Sequence, residues 1–279
     1  MKQLINVILR QPLFNALIFL VWLVPNHNVG WAIIGLTVII RLILLPSSLS
    51  AARQQKKMRD LQPELTALAE KYKGQKEKLA QAQMAFYKEN KVNPLGSCLP
   101  LLVQLPILIV LYYVFQDGLS VNRFDMLYNF TPRPEFIKTV FLGIDLAQPD
   151  KYILPVIAGI LQFIQSKQLM PSITKAADPK KGPDMQAMMS KQMMYLMPIF
   201  TVFIAGRLPA ALPLYWIITN LFTIGQQWYV FREKSDKVKV NKQIESDVKR
   251  IESEIDKPKT TKKHGVEVTV RRKNAKKIV

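Results

Sequence analysis

Long uncharged apolar runs alternate along this chain with charged, amphipathic stretches. With their mildly polar flanks, five runs approach the ~20 residues that a helix needs to cross a bilayer. They lie near residues 29–46, 96–116, 152–169, 190–205 and 213–230. The third and fourth have short apolar centres, Tyr152 to Ile164 and Met193 to Ile204, and span only if Gln165, Ser166 and Met188 to Gln192 are drawn in. A sixth run, Leu13 to Val24, is about twelve residues, short for crossing and better suited to an interfacial or signal-like segment. It lacks an Ala-x-Ala cleavage site, so it is expected to stay. The pattern predicts an all-α polytopic membrane protein with five transmembrane helices. Residues 1–24 form an N-terminal interfacial amphipathic segment, residues 25–231 the core, and residues 232–279 a basic tail.

Between the first two runs, residues 50–91 change period and polarity. Met58, Leu61, Leu65, Leu68 and Ala69 recur at helical spacing, Lys73-Gly74 marks a turn, and Leu79, Ala82, Met84, Ala85 and Phe86 follow on a second helix. This predicts an amphipathic helical hairpin, with Pro63 kinking its first helix or marking its restart. In the tail, Ile244, Val248, Ile251 and Ile255 share one face, so a short amphipathic helix is expected before a disordered basic end, Lys257 to Lys277.

Charge orients the spans. The loop after the first run carries ten Lys and Arg residues from Arg53 to Lys91, whereas residues 116–151 hold only Arg123, Arg133, Lys138 and Lys151. The positive-inside rule therefore puts the hairpin and tail on the cytoplasmic side and the amino terminus outside, with Lys2 and Arg10 in mild dissent. The formal net charge of +19 would suggest nucleic acid in a soluble protein. Here it faces anionic headgroups and, equally, ribosomal RNA, and composition does not separate the two. Cys98 is the single cysteine and His27 and His264 the only histidines, so no metal-ligand spacing exists. Nor is there a nucleophile elbow, phosphate loop or hydrolytic carboxylate pair. No enzyme activity and no cofactor are expected.

Arg41 stands inside the first apolar run, where an arginine costs roughly 3 kcal/mol at a helix centre and marks a functional site by default. Snorkelling is the competing reading, because Pro46 follows only about five residues later and a long side chain reaches the interface from there. Other polar residues repeat on helical faces: Thr37 with Arg41, Gln162 with Gln165, Tyr215 with Thr219, and Trp216 with Asn220. Interhelical hydrogen bonding, worth about 0.6 kcal/mol, accounts for each pair without any function. No proposed span contains a carboxylate, so water or surface access must hydrate Arg41.

At this point the residues carry a family resemblance. The stretch Asn93-Pro94-Leu95-Gly96-Ser97-Cys98-Leu99-Pro100-Leu101-Leu102-Val103-Gln104-Leu105-Pro106-Ile107 closely resembles the signature of YidC-type membrane insertases, the family that includes the mitochondrial Oxa and chloroplast Alb proteins. Its signature positions here are Asn93, Pro94, Gly96, Pro100, Gln104 and Pro106. Three more blocks agree in order: Ile40-Arg41-Leu42 before Pro46, Lys191-Gln192-Met193-Met194 before Met197-Pro198, and Leu214-Tyr215-Trp216 leading to Asn220 and Gln226-Gln227. Ser97 departs from a usual glycine and Leu105 from a common methionine.

The resemblance implies a five-helix core whose hydrophilic groove opens to the cytoplasm and to lipid. Arg41, Thr37, Tyr215 and Trp216 lie at the groove, with Gln162 and Gln165 as further candidates. It also implies a mobile receiving hairpin, an interfacial helix at Leu13 to Val24, and the short form of the family. The implied function is insertion and chaperoning of nascent membrane proteins. Implied partners are the ribosome, membrane lipids, a Sec translocon and the signal-recognition receptor, but not DNA. Lys257, Lys262, Lys263, Arg271, Arg272 and Lys273 read as a ribosome-binding tail. The alternative from residues alone is a small secondary transporter or channel with an anion-binding Arg41, although no internal repeat supports it. A membrane-anchored ribosome tether would leave Arg41 idle.

Overall fold

A computed structural model of the protein describes residues 6–93, 99–118, 126–169, 185–232, 259–263 and 266–270, and is mostly helical. After a π-helical turn, Asn6–Arg10, come helices α1 (Gln11–Leu23), α2 (Val29–Ile43), α3 (Leu45–Asp60), α4 (Gln62–Lys71) and α5 (Lys76–Glu89). Then follow α6 (Leu99–Gly118), the strands β1 (Val140–Phe141) and β2 (Ile144–Asp145), α7 (Ile153–Leu169), α8 (Met185–Ala205), α9 (Ala211–Arg232), and β3 (Lys259–Lys263) with β4 (Val266–Val270). Two compact units emerge: Met1–Thr66 with Asn93–Lys234, and Ala67–Val92 with Ser235–Val279.

Local chemistry sets the helix ends of the first unit. α1 stops at Val24, which is extended as a residue before proline prefers. α2 starts on Asn28, whose Oδ1 accepts the Gly30 N–H at 2.9 Å. It ends at Leu44, and Pro46, in the first turn of α3, lacks the N–H that would continue the ladder; the axis bends by 70° there. Pro63 marks a restart, with α3 ending at Asp60 and α4 beginning at Gln62. The Asp150 carboxylate accepts the N–H groups of Tyr152, Ile153 and Leu154 and caps α7.

The core gathers at one end of this unit. Phe14, Leu17, Ile18 and Val21 of α1 are buried with Ala32 and Ile33 of α2, Val114 and Phe115 of α6, Leu212 of α9, and Phe141 and Leu146 from the α6–α7 connection. Asn15 ties that connection down: its Nδ2 donates to the carbonyls of Gln11 (2.8 Å) and Met126 (3.0 Å), and its Oδ1 accepts from Tyr128 N–H (2.7 Å) and the Thr131 hydroxyl (2.8 Å). Gly30 is pressed so closely by Phe141 that a Cβ would stand 2.2 Å from its ring. α7, α8 and α9 pack side by side, with Gly159 against Val202.

By length and composition, no single helix among the described residues is long and apolar enough to cross a membrane, while α2 and α3 pass together as a bent pair. Within the stretch expected as the first span, near residues 29–46, the first helix breaks at Leu44, and α3 begins at Leu45, ahead of the hairpin expected over residues 50–91. α7 measures ~26 Å at helical rise, against a hydrocarbon core of ~30 Å. α9 is longer but carries Thr219, Asn220, Gln226 and Gln227. Large apolar side chains nevertheless point outward, among them Ile43, Ile109, Ile160, Ile199 and Phe203, while those polar residues of α9 are buried. This inverts the arrangement of a surface helix in a water-soluble protein.

In the second unit the chain turns at Gly74, whose φ of +82° suits glycine, and Leu68, Ala82, Phe86 and Val92 are buried. The tail corrects an expectation. Instead of disorder from Lys257 onward, β3 and β4 pair antiparallel, Lys259 opposite Val270 and Lys263 opposite Val266. Val266, Val268 and Val270 alternate at the strand period, a local β signal that the lysine content of the segment masked. The helix expected over Ile244 to Ile255 lies outside the described residues.

Candidate functional site

Arg41 lies in the last turn of α2, half-buried. Its Nη2 donates to Oε1 of Gln104 on α6 at 3.1 Å, and Nε2 of Gln104 donates to the phenol oxygen of Tyr215 on α9 in a short contact. Three helices thus contribute one group each to a polar chain. Its direction follows from the donor inventory: a guanidinium only donates, so the glutamine must turn Oε1 toward Arg41 and its amide nitrogen toward Tyr215. Among the described residues no carboxylate joins this chain, so Arg41 is oriented by neutral partners. The arrangement presents a cation whose hydrogen-bond partners are neutral, suited to a carboxylate or another anion.

The other candidates divide. Thr37 is 2% exposed on the α2 face, but its hydroxyl donates to the Ile33 carbonyl at 2.6 Å and forms no bond with Arg41. Tyr215 is equally buried and belongs to the core, and Trp216 packs partly buried at its edge. Gln162 and Gln165 are half-buried on α7, and no hydrogen bond links them to the Arg41 chain. Of the signature, Pro100 opens α6 and Pro106 lies inside it, Asn93 closes the segment after α5, and Pro94 and Gly96 lie outside the described residues. Lys262 and Lys263 are on β3, while Lys257, Arg271, Arg272 and Lys273 lie outside.

The sequence marks Gln104 only as a signature position. A lone amide within the apolar run from Leu99 to Val114 is anomalous in the same way as Arg41, and that signal was available in the sequence. A second polar layer involves Asn220 and Gln226, both named in the sequence, with partners that the sequence does not indicate. Gln226 Nε2 donates to Ser48 Oγ at 2.6 Å across the bend, and Asn220 Nδ2 donates to the Ala158 carbonyl at 3.2 Å. With Tyr215, Thr219 and Thr223, Gln226 continues a polar stripe ~16 Å long on α9. Arg59 donates to the Gln168 carbonyl at 2.9 Å and stands over the Phe231 ring, 5.1 Å from its centroid. Glu64 is half-buried with an unpartnered Oε2; desolvation holds its carboxyl above the ordinary value, a backbone hydrogen bond opposes the shift, and Asp60 adds to it. Among the described residues, no three His, Cys, Asp or Glu side chains converge to hold a metal ion.

The family model described as 60Kd inner membrane protein matches residues 21–237. The chain is 39% identical over 226 residues to the membrane protein insertase YidC of Ectopseudomonas mendocina, covering 81% of this chain and 34% of that protein. It is 36% identical over 231 residues to that of Stutzerimonas stutzeri, covering 81% and 36%. With the membrane protein insertase YidC of Clostridium tetani it shares 40% identity over 202 residues, covering 72% of this chain and 81% of the relative. The chain thus spans about a third of the length of the first two curated relatives and about four-fifths of the third.

Proposed function

The chain belongs to the 60Kd inner membrane protein family and resembles bacterial membrane protein insertases, and from that premise we propose that it is itself a membrane protein insertase and chaperone of a bacterial membrane. It takes up nascent integral membrane proteins and brings a short, often acidic, outer segment partway across through a hydrated, positively charged groove. The substrate's apolar helix is then released sideways into lipid. The observation that carries this reading is Arg41, held by Gln104 and Tyr215 without a neutralising acid. A unit charge pair at 4 Å is worth ~1 kcal/mol in water and ~4 kcal/mol at an effective dielectric near 20, so partial shielding gives the groove its pull on an acidic tail. Transfer of some 20 apolar residues into lipid supplies the net drive, and no nucleotide is consumed at this step.

On this reading the five apolar runs are five spans, the first continuing into α3 through the bend, with the amino terminus outside and the hairpin and tail in the cytoplasm. The asymmetry of basic loops and the outward apolar side chains support it. Thr37 and Tyr215, buried behind Arg41, support the wall of the groove, Trp216 stands at its edge, and Gln162 and Gln165 lie farther along it. The hairpin receives substrates, and the basic tail, through Lys257, Lys262, Lys263, Arg271, Arg272 and Lys273, holds the ribosome. A Sec translocon and the signal-recognition receptor are the further partners. The relatives are named as insertases, which leaves the transporter reading without support.

Reconstitution of the purified protein alone in liposomes tests this, with protease protection of paired single-span substrates that differ only in acidic or neutral tails. Arg41→Lys should retain much activity, Arg41→Ala should impair acidic-tailed substrates, and Arg41→Glu should be worst. Equal insertion of both substrates by wild type and Arg41→Ala would sink the electrostatic mechanism.

A further inference from the structure

The turn between β1 and β2 carries an exposed leucine in a conformation that leucine rarely adopts. Leu142 and Gly143 are its two residues, with φ of +50° and +85°, the geometry that asparagine, aspartate and glycine suit. Leu142 is also 86% exposed. Neither backbone preference nor packing within the protein accounts for it, although the residues on either side are well placed: Phe141 is in the core, and the Gly143 turn closes a regular two-residue hairpin. An apolar side chain kept at a strained, outward tip points to an apolar surface outside the protein.

We propose that the Leu142 tip, with Phe136 and Trp31, seats in the headgroup–acyl boundary of the bilayer that surrounds the helices. Continuity identifies this occupant. Trp31, in the first turn of α2 and about half exposed, packs edge-on against Phe141 with centroids 5.3 Å apart, directly beside the tip. Phe136 is about half exposed and packs edge-on against His27, just before α2. The segment between them is fixed beside the start of α2 by the Asn28–Lys138 bridge and by Asn28 Nδ2 donating to the Val140 carbonyl at 2.9 Å. From Trp31 the exposed apolar face runs on along α2 through Ile39 and Leu42. Tryptophan at a helix end is the residue type that rests at headgroup level, and exposed Lys138 on this segment is placed to meet lipid phosphate.

The proposal rests on the membrane-embedded reading above, and its test separates the two. In the full chain with its native Cys98 changed to serine, Leu142→Cys is labelled with a bimane fluorophore and reconstituted in phosphatidylcholine–phosphatidylglycerol vesicles. Quenching by lipids bearing a shallow nitroxide is compared with quenching by aqueous iodide. Gln75→Cys at the hairpin turn is the aqueous reference, and Ile199→Cys on the exposed apolar face of α8 the lipid reference. The expected result is that the Leu142 label loses at least about half its emission to the lipid quencher and responds several-fold less to iodide than the Gln75 label. Iodide quenching equal to that at Gln75, with no lipid quenching at 142 but strong lipid quenching at 199, overturns the proposal alone. Absence of lipid quenching at both 142 and 199 overturns the embedded reading and the proposal with it.

Discussion

Gln104→Glu is the substitution that separates the charge of Arg41 from its position. The glutamate keeps the length of the glutamine and puts a carboxylate oxygen where Oε1 now stands, 3.1 Å from Arg41 Nη2. At an effective dielectric near 20 that pair is worth ~5 kcal/mol of gross attraction, against several kcal/mol of desolvation for a shielded carboxylate, so the net change in fold stability is small. The effect on an incoming acid is not small. A substrate carboxylate at ~4 Å from Arg41 gains ~4 kcal/mol in the wild type, and the new charge cancels most of it. Even a third of that loss is ~1.4 kcal/mol, a factor of about ten. Insertion of an acidic-tailed substrate by Gln104→Glu should therefore fall about ten-fold in the liposome assay, a neutral-tailed one should fall far less, and the thermal midpoint should stay close to that of wild type. Gln104→Met, which removes the hydrogen bonds and leaves the charge free, should retain most acidic-tail insertion. If Gln104→Glu inserts acidic tails as well as wild type, the reasoning from an uncompensated Arg41 is refuted.

Four further outcomes follow from the packing and charge. Gly159→Val should lower the thermal midpoint in detergent by an amount corresponding to about 1–3 kcal/mol, since a Cβ would already stand 2.4 Å from Val202 Cγ2 and the α7–α8 contact must open. Asn15→Leu leaves the Thr131 hydroxyl and Tyr128 N–H without their acceptor, about 1–3 kcal/mol for each buried orphan, and should speed limited proteolysis within residues 126–150. Glu64 has a folded-state pKa above its unfolded one, so the folded state binds the proton more tightly. The contribution of Glu64 to stability should be fully present below the ordinary carboxylate range and be lost as pH rises through the raised value, and Glu64→Gln should flatten that part of the thermal-stability profile. Deleting residues after Arg232 should weaken ribosome cosedimentation and reduce its salt slope, because counterion release scales with the phosphates neutralised; unchanged binding would discard the tail as the contact.

What could be read before folding depended on the range of the signal. The Pro63 restart and the Gly74 turn are local, and both were legible as residue types. The bend at Leu44 was not, because Pro46 is equally compatible with the first turn of a new helix and with an interfacial stop. Arg41 announced itself by its cost in an apolar run, but its partners came from α6 and α9, sixty-three and 174 positions away in the chain, a pairing that no periodicity encodes. Thr37 shows the opposite error: it shares a helical face with Arg41, yet its hydroxyl is already committed to the carbonyl four residues back. In the tail, net positive charge outweighed a valine alternation that does form strands.

The choice of neutral partners bears directly on how Arg41 works on the proposed reading. An acidic partner would fix the guanidinium as firmly, but it would spend the attraction that a substrate needs, and a passing carboxylate would have to displace it. Gln104 fixes orientation through one acceptor and leaves the charge unneutralised. The chain then ends on Tyr215, which is itself part of the core with Leu212 and Leu214, so the cation is referenced to the rigid end of the bundle. The bend, with Ser48 and Gln226 across it, is a separate polar contact. This arrangement makes the two ends of the chain behave differently under mutation. Changes at Gln104 should alter selectivity for tail charge with little effect on stability, whereas Tyr215→Phe orphans the Gln104 amide beside the core and should lower stability and insertion of acidic and neutral tails together.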